Sequence, residues 1–355
     1  MLCLLALMIL WWFGRKLNWG EVRAALSQAN WFLLAIAVAL ISLVYLLRAF
    51  RWQAFLGPIV RARLSDLFAA TTIGFGAVFI AGRAGEVVRP VILPMRDSRV
   101  RASASFVTIF VERIYDIVAV VLLFAVNLLW FRPAGGSASD LSAVRLAGYI
   151  LLSSAVLLLV ALVWFRQHSD QTEQIWRRLF EGRWFMPAIV NRAFVSLLRQ
   201  LTRALGVLVD ARELAITIAW TAAVWFAIAL ANLLVLRAFG LPYGARETLF
   251  VLGWALVGSL VPTPGGAAGA FHAATAGALL VLGVERETAA AVSIVMHLVD
   301  FGPAVLFGFI YFVRGEINIT RLRSLVTQDV AKENNENVGN QDPALERTLT
   351  PTQNT

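Results

Sequence analysis

Apolar runs of bilayer length, broken by very few charges, are what most constrains this chain. A hydrocarbon core about 30 Å thick takes about 20 helical residues at 1.5 Å each. Trp31–Leu47, Leu146–Phe165 and Leu214–Leu236 are runs of this kind. Ser103–Phe131 and Thr288–Val313 are long enough too, but ionisable residues interrupt them. Apolar residues make up 59% of the chain and charged ones only 15%, whereas a water-soluble surface uses about 25% charged residues. A soluble enzyme or nucleic-acid module on a small anchor is therefore excluded, because no long polar stretch remains to build one. The reading is an all-α, polytopic helical membrane protein.

The net charge of +9 does not point to nucleic acid, since apolar runs separate the basic residues. Basic residues beside lipid-length helices report topology and contact with anionic headgroups. The Arg166–Arg212 connection holds eight arginines, and Gly82–Arg101 holds five. Both are expected in the cytoplasm. Pro133–Ala143, with no basic residue, and Gly240–Glu247 are expected outside. Arg314, Arg321 and Arg323 then place the C-terminus inside, in a multi-pass protein of the cell membrane. Arg15 and Lys16 run against this scheme, which puts them outside. Met1–Phe13 covers only about 20 Å. It is either a half-buried helix or the end of a longer span, and the residues leave both open. Residues 1–320 are expected to form the membrane domain, including an amphipathic cytoplasmic segment over about 166–212. Residues 321–355 read as a disordered polar tail. Cys3, the one cysteine, excludes an intrachain disulfide and a cysteine-based metal cluster.

Two segments make poor spans. Leu64–Ala81 runs into a Gly/Arg-rich stretch, and Leu249–Val261 stops at Pro262-Thr263-Pro264-Gly265-Gly266 before resuming as Ala267–Val284. We expect two re-entrant broken-helix hairpins. The first (64–93) would enter from the cytoplasm and the second (249–284) from outside, with its turn at Pro262, Pro264, Gly265 and Gly266. Non-helical backbone survives at membrane depth only where protein or a wet cavity satisfies it. A pair of Gly/Pro-broken segments in the two halves points to a substrate site near the midplane. An inverted repeat is the weaker expectation, for the halves share no residue-level similarity.

Charges at depth cost about 2.5–3.5 kcal/mol each on insertion scales, so each needs a partner or a task. Arg83, Glu86 and Arg89 recur at i, i+3 and i+6, along one face of a helix. An Arg pair with an intervening Glu could receive a phosphodiester, or it could simply neutralise itself and fix the hairpin. With Arg48 and Arg51 these residues form the expected headgroup-binding set. Glu112 and Asp116 share a face at i, i+4, while Arg113 is expected to pair with Asp116. One arginine cannot neutralise two acids, so a partner must come from Arg83, Arg89, Arg48 or Arg51. His272 follows the glycine-rich turn, and His297 with Asp300 interrupts the last long span. These read as an intramembrane polar network, either a structural pair or a polar lining. Their spacing fits no metal motif, and no cofactor-binding or catalytic motif stands out.

Four motifs, in this order, carry a resemblance: Arg48-Ala49-Phe50-Arg51-Trp52; Gly82-Arg83-Ala84-Gly85-Glu86-Val87-Val88-Arg89-Pro90; Val111-Glu112-Arg113-Ile114-Tyr115-Asp116; and Pro262-Thr263-Pro264-Gly265-Gly266. The chain resembles the lysylphosphatidylglycerol synthase transmembrane region, or flippase-like, family over about residues 1–320. The resemblance implies a helical membrane fold with re-entrant segments and a role in moving phospholipids between leaflets. In bifunctional members this domain precedes a soluble aminoacyl transferase. With only a short polar tail here, synthase activity is expected to be absent. Where the family usually has a Glu after the turn and an Arg on the last long helix, this chain has His272 and His297. A paired change implies that the two positions touch, because one changed alone would leave a buried charge unpaired.

The leading expectation is therefore translocation of a phospholipid or lipid-phosphate headgroup through an Arg-lined cleft. Its partners would be membrane lipids, anionic ones above all, and a separate lipid-modifying enzyme. A transporter of a small soluble anion would use the same arginines. A membrane-embedded headgroup enzyme, with Glu112, Asp116 or His297 as acid or base, is the third reading.

Overall fold

The computed structural model describes residues 2–130 and 211–314, except 16 and 58, with scattered helical residues between 146 and 164. The side chains of residues 2–7, Arg83, Ala84, Trp130 and Ala211 lie outside the description. So do the 321–355 tail and nearly all of the 166–212 segment. Every element among the described residues is helical, as the apolar runs require. In chain order these are α1 (Leu2–Gly14), α2 (Trp19–Gln28), α3 (Trp31–Leu56), α4 (Leu64–Ala81), a 3-10 turn (Gly82–Val87), α5 (Val88–Arg96) and α6 (Ala102–Trp130). After the gap come α7 (Ala211–Ala238), α8 (Ala245–Gly258), a single turn (Pro264–Ala267), α9 (Ala270–Val281) and α10 (Arg286–Val313). Among the described residues four helices are long and apolar enough to cross a membrane: α3, α4, α7 from Arg212, and α10. α6, with 29 residues, is as long but carries Glu112, Arg113 and Asp116.

α3 and α7 form the central antiparallel pair. Ala37, Ile41 and Val44 pack with Val224, Ile228 and Ala231 in one core, and Phe50 stacks on Trp220 at 5.4 Å. The Asn30 amide donates to the Ala238 carbonyl at 2.8 Å, so α3 starts where α7 stops. That end is called the upper end here. Asn30 also caps α3, accepting from the Phe32 and Leu33 amides, which meets two of the donors a helix start leaves unpaired.

Both broken segments double back as paired helices, and their open ends lie at opposite ends of the bundle. α4 starts at the lower end, the chain reverses at Gly82, and α5 returns until Arg96 Nε meets Asp66 Oδ1 at 3.1 Å. The reversal needs Gly82, whose φ of +62° is strained for other residues. The two arms lie almost backbone to backbone: a Cβ on Gly85 would stand 2.3 Å from the Ala77 carbonyl carbon. α8 and α9 mirror this from the upper end, where the Tyr243 hydroxyl donates to the Leu282 carbonyl at 2.9 Å. Their tip is left-handed at Gly265, Gly266, Ala267 and Gly269. The tips touch, for a Cβ on Gly82 would lie 2.8 Å from the Thr263 carbonyl oxygen. α10 runs from the upper end, where Ala290 and Ala291 pack on Val22 of α2, to the lower end, where Phe68 meets Tyr311. Small residues let α4 and α10 approach closely, with a Cβ on Gly308 only 2.7 Å from the Thr72 carbonyl oxygen. α1 lies beside the second tip, with Ile9 against Gly269 and Phe13 stacked on His272.

The surface inverts the rule for soluble proteins. Trp31, Phe32, Phe226, Leu306 and Phe309 are exposed, while Arg51 and Glu112 are fully buried. That arrangement suits a lipid solvent, in which polar groups must find partners inside the protein.

Candidate functional site

The buried charges gather where α3, α5 and α6 meet, in the lower half of the bundle. Position along each helix decides this. Arg48 and Arg51 are three apart on α3, and Glu112 and Asp116 four apart on α6, so each pair shares a face. Glu112 takes both ends of the Arg89 guanidinium, Nη1 to Oε1 at 2.8 Å and Nη2 to Oε2 at 2.9 Å. Arg51 bridges the two acids. Its Nη2 donates to Glu112 Oε1 at 2.8 Å and Asp116 Oδ2 at 3.0 Å, and its Nη1 to Asp116 Oδ1 at 2.6 Å. The Trp225 indole N–H, from α7, also donates to Asp116 Oδ1 at 3.2 Å. Arg48 Nη1 comes within only 3.7 Å of Asp116 Oδ2, too far for a hydrogen bond.

Aromatic faces complete the enclosure. Arg89 lies 4.2 Å over Trp52, whose own indole N–H donates to Thr108. Phe75 of α4 faces three guanidiniums: Arg48 at 4.8 Å, Arg113 at 5.7 Å and Arg89 at 6.0 Å. Such cation–π contacts replace part of the lost hydration. The close approach at Gly74, where a Cβ would be 2.5 Å from Arg89 Cβ, lets α5 carry Arg89 into the network.

Two pairings expected from the sequence are not formed. Arg113 does not pair with Asp116. It lies about 100° round α6 from Glu112, is partly exposed, and has its Nε 3.9 Å from Glu86 Oε2. Nor do Glu86 and Arg89 act together. The chain is 3-10 up to Val87 and changes to α-helix there, and Arg89 turns inward to Glu112 while Glu86 faces Arg113. The physical reason is burial. Glu112 is wholly enclosed and draws the two guanidiniums it can reach, leaving the outer pair to each other. The Arg83 side chain lies outside the described residues.

The two histidines do meet. Their ring centroids are 4.8 Å apart and nearly perpendicular, although 25 positions separate them in the chain. His297 Nε2 donates to the Gly266 carbonyl at 3.0 Å. His272 Nδ1 accepts from the Gly269 amide at 3.3 Å. Together they pin the left-handed tip of the second hairpin, and Phe79, Phe271 and Phe301 surround His297. Asp300, one turn beyond His297, has other partners. Its carbonyl accepts from the Tyr45 hydroxyl at 2.7 Å, and its carboxyl neighbours Asn232 and Arg48. Among the described residues no three His, Cys, Asp or Glu side chains come together as a metal site. Pro264 opens the tip, Pro262 precedes it, and the Thr263 hydroxyl closes it on the Ala268 carbonyl at 3.2 Å.

Sequence reasoning missed Trp52, Phe75, Thr108, Trp225 and Tyr45 as members of this centre. A weak signal existed. An indole or phenol inside a span needs a hydrogen-bond partner, and Tyr45 lies one turn before Arg48.

The fold thus defines a polytopic helical membrane protein with opposed hairpins around a buried ionic centre. The family model for the lysylphosphatidylglycerol synthase TM region matches residues 2–308, and the chain belongs to that family. A comparison with curated proteins finds no match.

Proposed function

We propose that this protein moves a phospholipid or lipid-phosphate headgroup between leaflets, along a path where the two hairpin tips meet. In this reading both hairpins are re-entrant, the first from the cytoplasm and the second from outside, in a plasma-membrane protein whose C-terminus is cytoplasmic. The observation that carries it is the contact of Gly82 with Thr263 inside an apolar-surfaced bundle, close to an ionic centre holding three buried arginines. Moving an unpaired phosphate through hydrocarbon is slow because the charge loses its hydration. Guanidinium partners at depth lower that barrier. Separating the tips would open a polar route at mid-depth while the acyl chains stay in lipid. The protein acts here as a translocator rather than an enzyme, on anionic phospholipids, and a separate lipid-modifying enzyme is its natural partner. No energy source is needed to equilibrate two leaflets.

The test is reconstitution of the purified chain in vesicles carrying headgroup-labelled lipids, with a membrane-impermeant quencher outside. Quenching beyond the outer-leaflet half supports translocation. Quenching stopped at half in vesicles with folded protein refutes it. Rapid uptake of a soluble anion in those same vesicles would establish the solute-transporter reading instead, and chemical turnover of the headgroup would establish the enzyme reading.

A further inference from the structure

The ionic centre is not balanced, and the imbalance sits on one residue. Arg51 and Arg89 have both Nη groups bonded to Glu112 and Asp116 and leave only Nε without a partner. Arg48 is buried too, at 9% exposure, yet its Nη1 has no hydrogen-bond partner. Its nearest acid oxygen stands 3.7 Å away and is already shared with Arg51. The Tyr45 hydroxyl, one turn away, is occupied by the Asp300 carbonyl. Asp300 lies near Arg48 on α10, but forms no ion pair within 4 Å among the described residues. Within 4 Å, three buried guanidiniums therefore meet only two carboxylates, with the Asp300 carboxyl farther from Arg48, while the outer Arg113–Glu86 pair cancels itself.

A buried cation with an unused donor is costly unless something visits it. We propose that Arg48 is the binding group for a singly charged oxyanion of the phosphodiester type, and that the centre accommodates one such charge. One negative charge brings the three-arginine, two-acid set to neutrality. A phosphomonoester dianion would overshoot and leave an uncompensated charge in a low-dielectric site. Phe75 covers one face of the Arg48 guanidinium at 4.8 Å, and an oxyanion at the N–H edge would take two parallel bonds. Because Phe75 belongs to α4, the first arm of the lower hairpin, a shift of that arm uncovers Arg48. Arg51 and Arg89 hold the acids and keep Arg48 aimed; they are positioning residues. The proposal rests on the translocation reading only for the source of the anion, a lipid headgroup.

The experiment uses the full chain in detergent and native mass spectrometry, with phosphatidylglycerol as the diester probe and phosphatidic acid at pH 8 as the dianionic competitor. Dimethyl phosphate, the same diester without tails, supplies the soluble arm through its effect on melting temperature. Wild type should retain phosphatidylglycerol in preference to phosphatidic acid. Arg48→Met should lower that retention at least about tenfold, the scale of one charge-assisted hydrogen bond. It should melt within a few degrees of wild type, because it breaks no close pair. Arg48→Lys keeps the charge without the fork and should fall between the two, which covers the case in which Arg48→Met fails to fold. Arg113→Met should retain lipid like wild type. Unchanged retention in both Arg48 variants, or equal loss in Arg113→Met, would overturn the assignment, and preference for the dianion would overturn the single-charge rule. Stabilisation by dimethyl phosphate that depends on Arg48 supports the site with a soluble anion as its source. Arg48-dependent lipid retention without lipid exchange in vesicles would keep the site and remove the translocation reading.

Discussion

Replacing Glu112 by Gln probes the physics that holds the bundle together. Glu112 is fully buried and accepts three hydrogen bonds from Arg89 and Arg51, at 2.8, 2.9 and 2.8 Å. Bonds to charged groups contribute about 1.5–3 kcal/mol each, but three bonds on one carboxylate do not add independently. The amide keeps one acceptor oxygen and points an N–H₂ group at guanidinium donors. The charge excess of the enclosed set rises from one to two. Removing one partner of a buried pair costs about 3–5 kcal/mol, a large part of a stability near 5–15 kcal/mol. By contrast, Arg113→Met breaks a partly exposed pair at 3.9 Å and should cost under about 1 kcal/mol. The assay is denaturant or thermal unfolding in detergent, as a double-mutant cycle. Arg89→Met combined with Glu112→Leu should lose less than the two single changes summed, since an apolar pair replaces the ion pair whole. Glu112→Gln unfolding within about 1 kcal/mol of wild type, with additive singles and double, would refute the claim that these guanidiniums depend on Glu112.

Gly85→Ala places a Cβ 2.3 Å from Ala77 backbone and should destabilise the lower hairpin by about 1–3 kcal/mol. Gly277→Ala, with open space around it, should leave the melting temperature unlowered, and equal behaviour of the two variants in a melting assay would contradict the hairpin packing. For the histidine pair, His272→Glu with His297→Arg should be tolerated better than either change alone; additive losses of stability and transport would dismiss their coupling. In the lower loop, hydrogen bonds from Arg99 hold the Asp97 carboxyl below the usual range. That stabilisation is present above the unfolded carboxylate pKa of about 3.9 and is lost as pH falls through the lower folded value. Unfolding curves of wild type and Asp97→Asn should therefore differ by a small constant amount near neutral pH and converge in strong acid. A gap that widens on acidification would reverse the assignment.

Much of this architecture was legible in the residues because its causes are local or additive. Apolar length set the spans, and the glycines between Gly74 and Gly85, with the Pro264-Gly265-Gly266 run, marked the regions of both reversals. The charge of the connecting loops suggested opposite entry sides for the two hairpins, and in the structure their open ends lie at opposite ends of the bundle. The excess of acid on one face of α6 required cations from elsewhere, and Arg51 and Arg89 supply them. Exchange of a Glu–Arg pair for two histidines implied a contact that the folded chain contains.

Which charge meets which was not legible. Spacing alone favoured Arg113 with Asp116 and put Glu86 and Arg89 on one helical face, because neighbours on one helix are all that a sequence displays. Packing sent Arg113 to Glu86 and Arg89 to Glu112 instead. Glu112, enclosed between α3, α5 and α6, competes for guanidiniums across helices with the force of a low-dielectric interior, while Arg113 and Glu86 sit where solvent weakens the attraction. The sequence by itself determined that buried charges must be paired and that the chain must double back twice. Only the tertiary structure decided that the two reversals touch and that Arg48 is left over, since both depend on how closely glycine-faced helices approach one another.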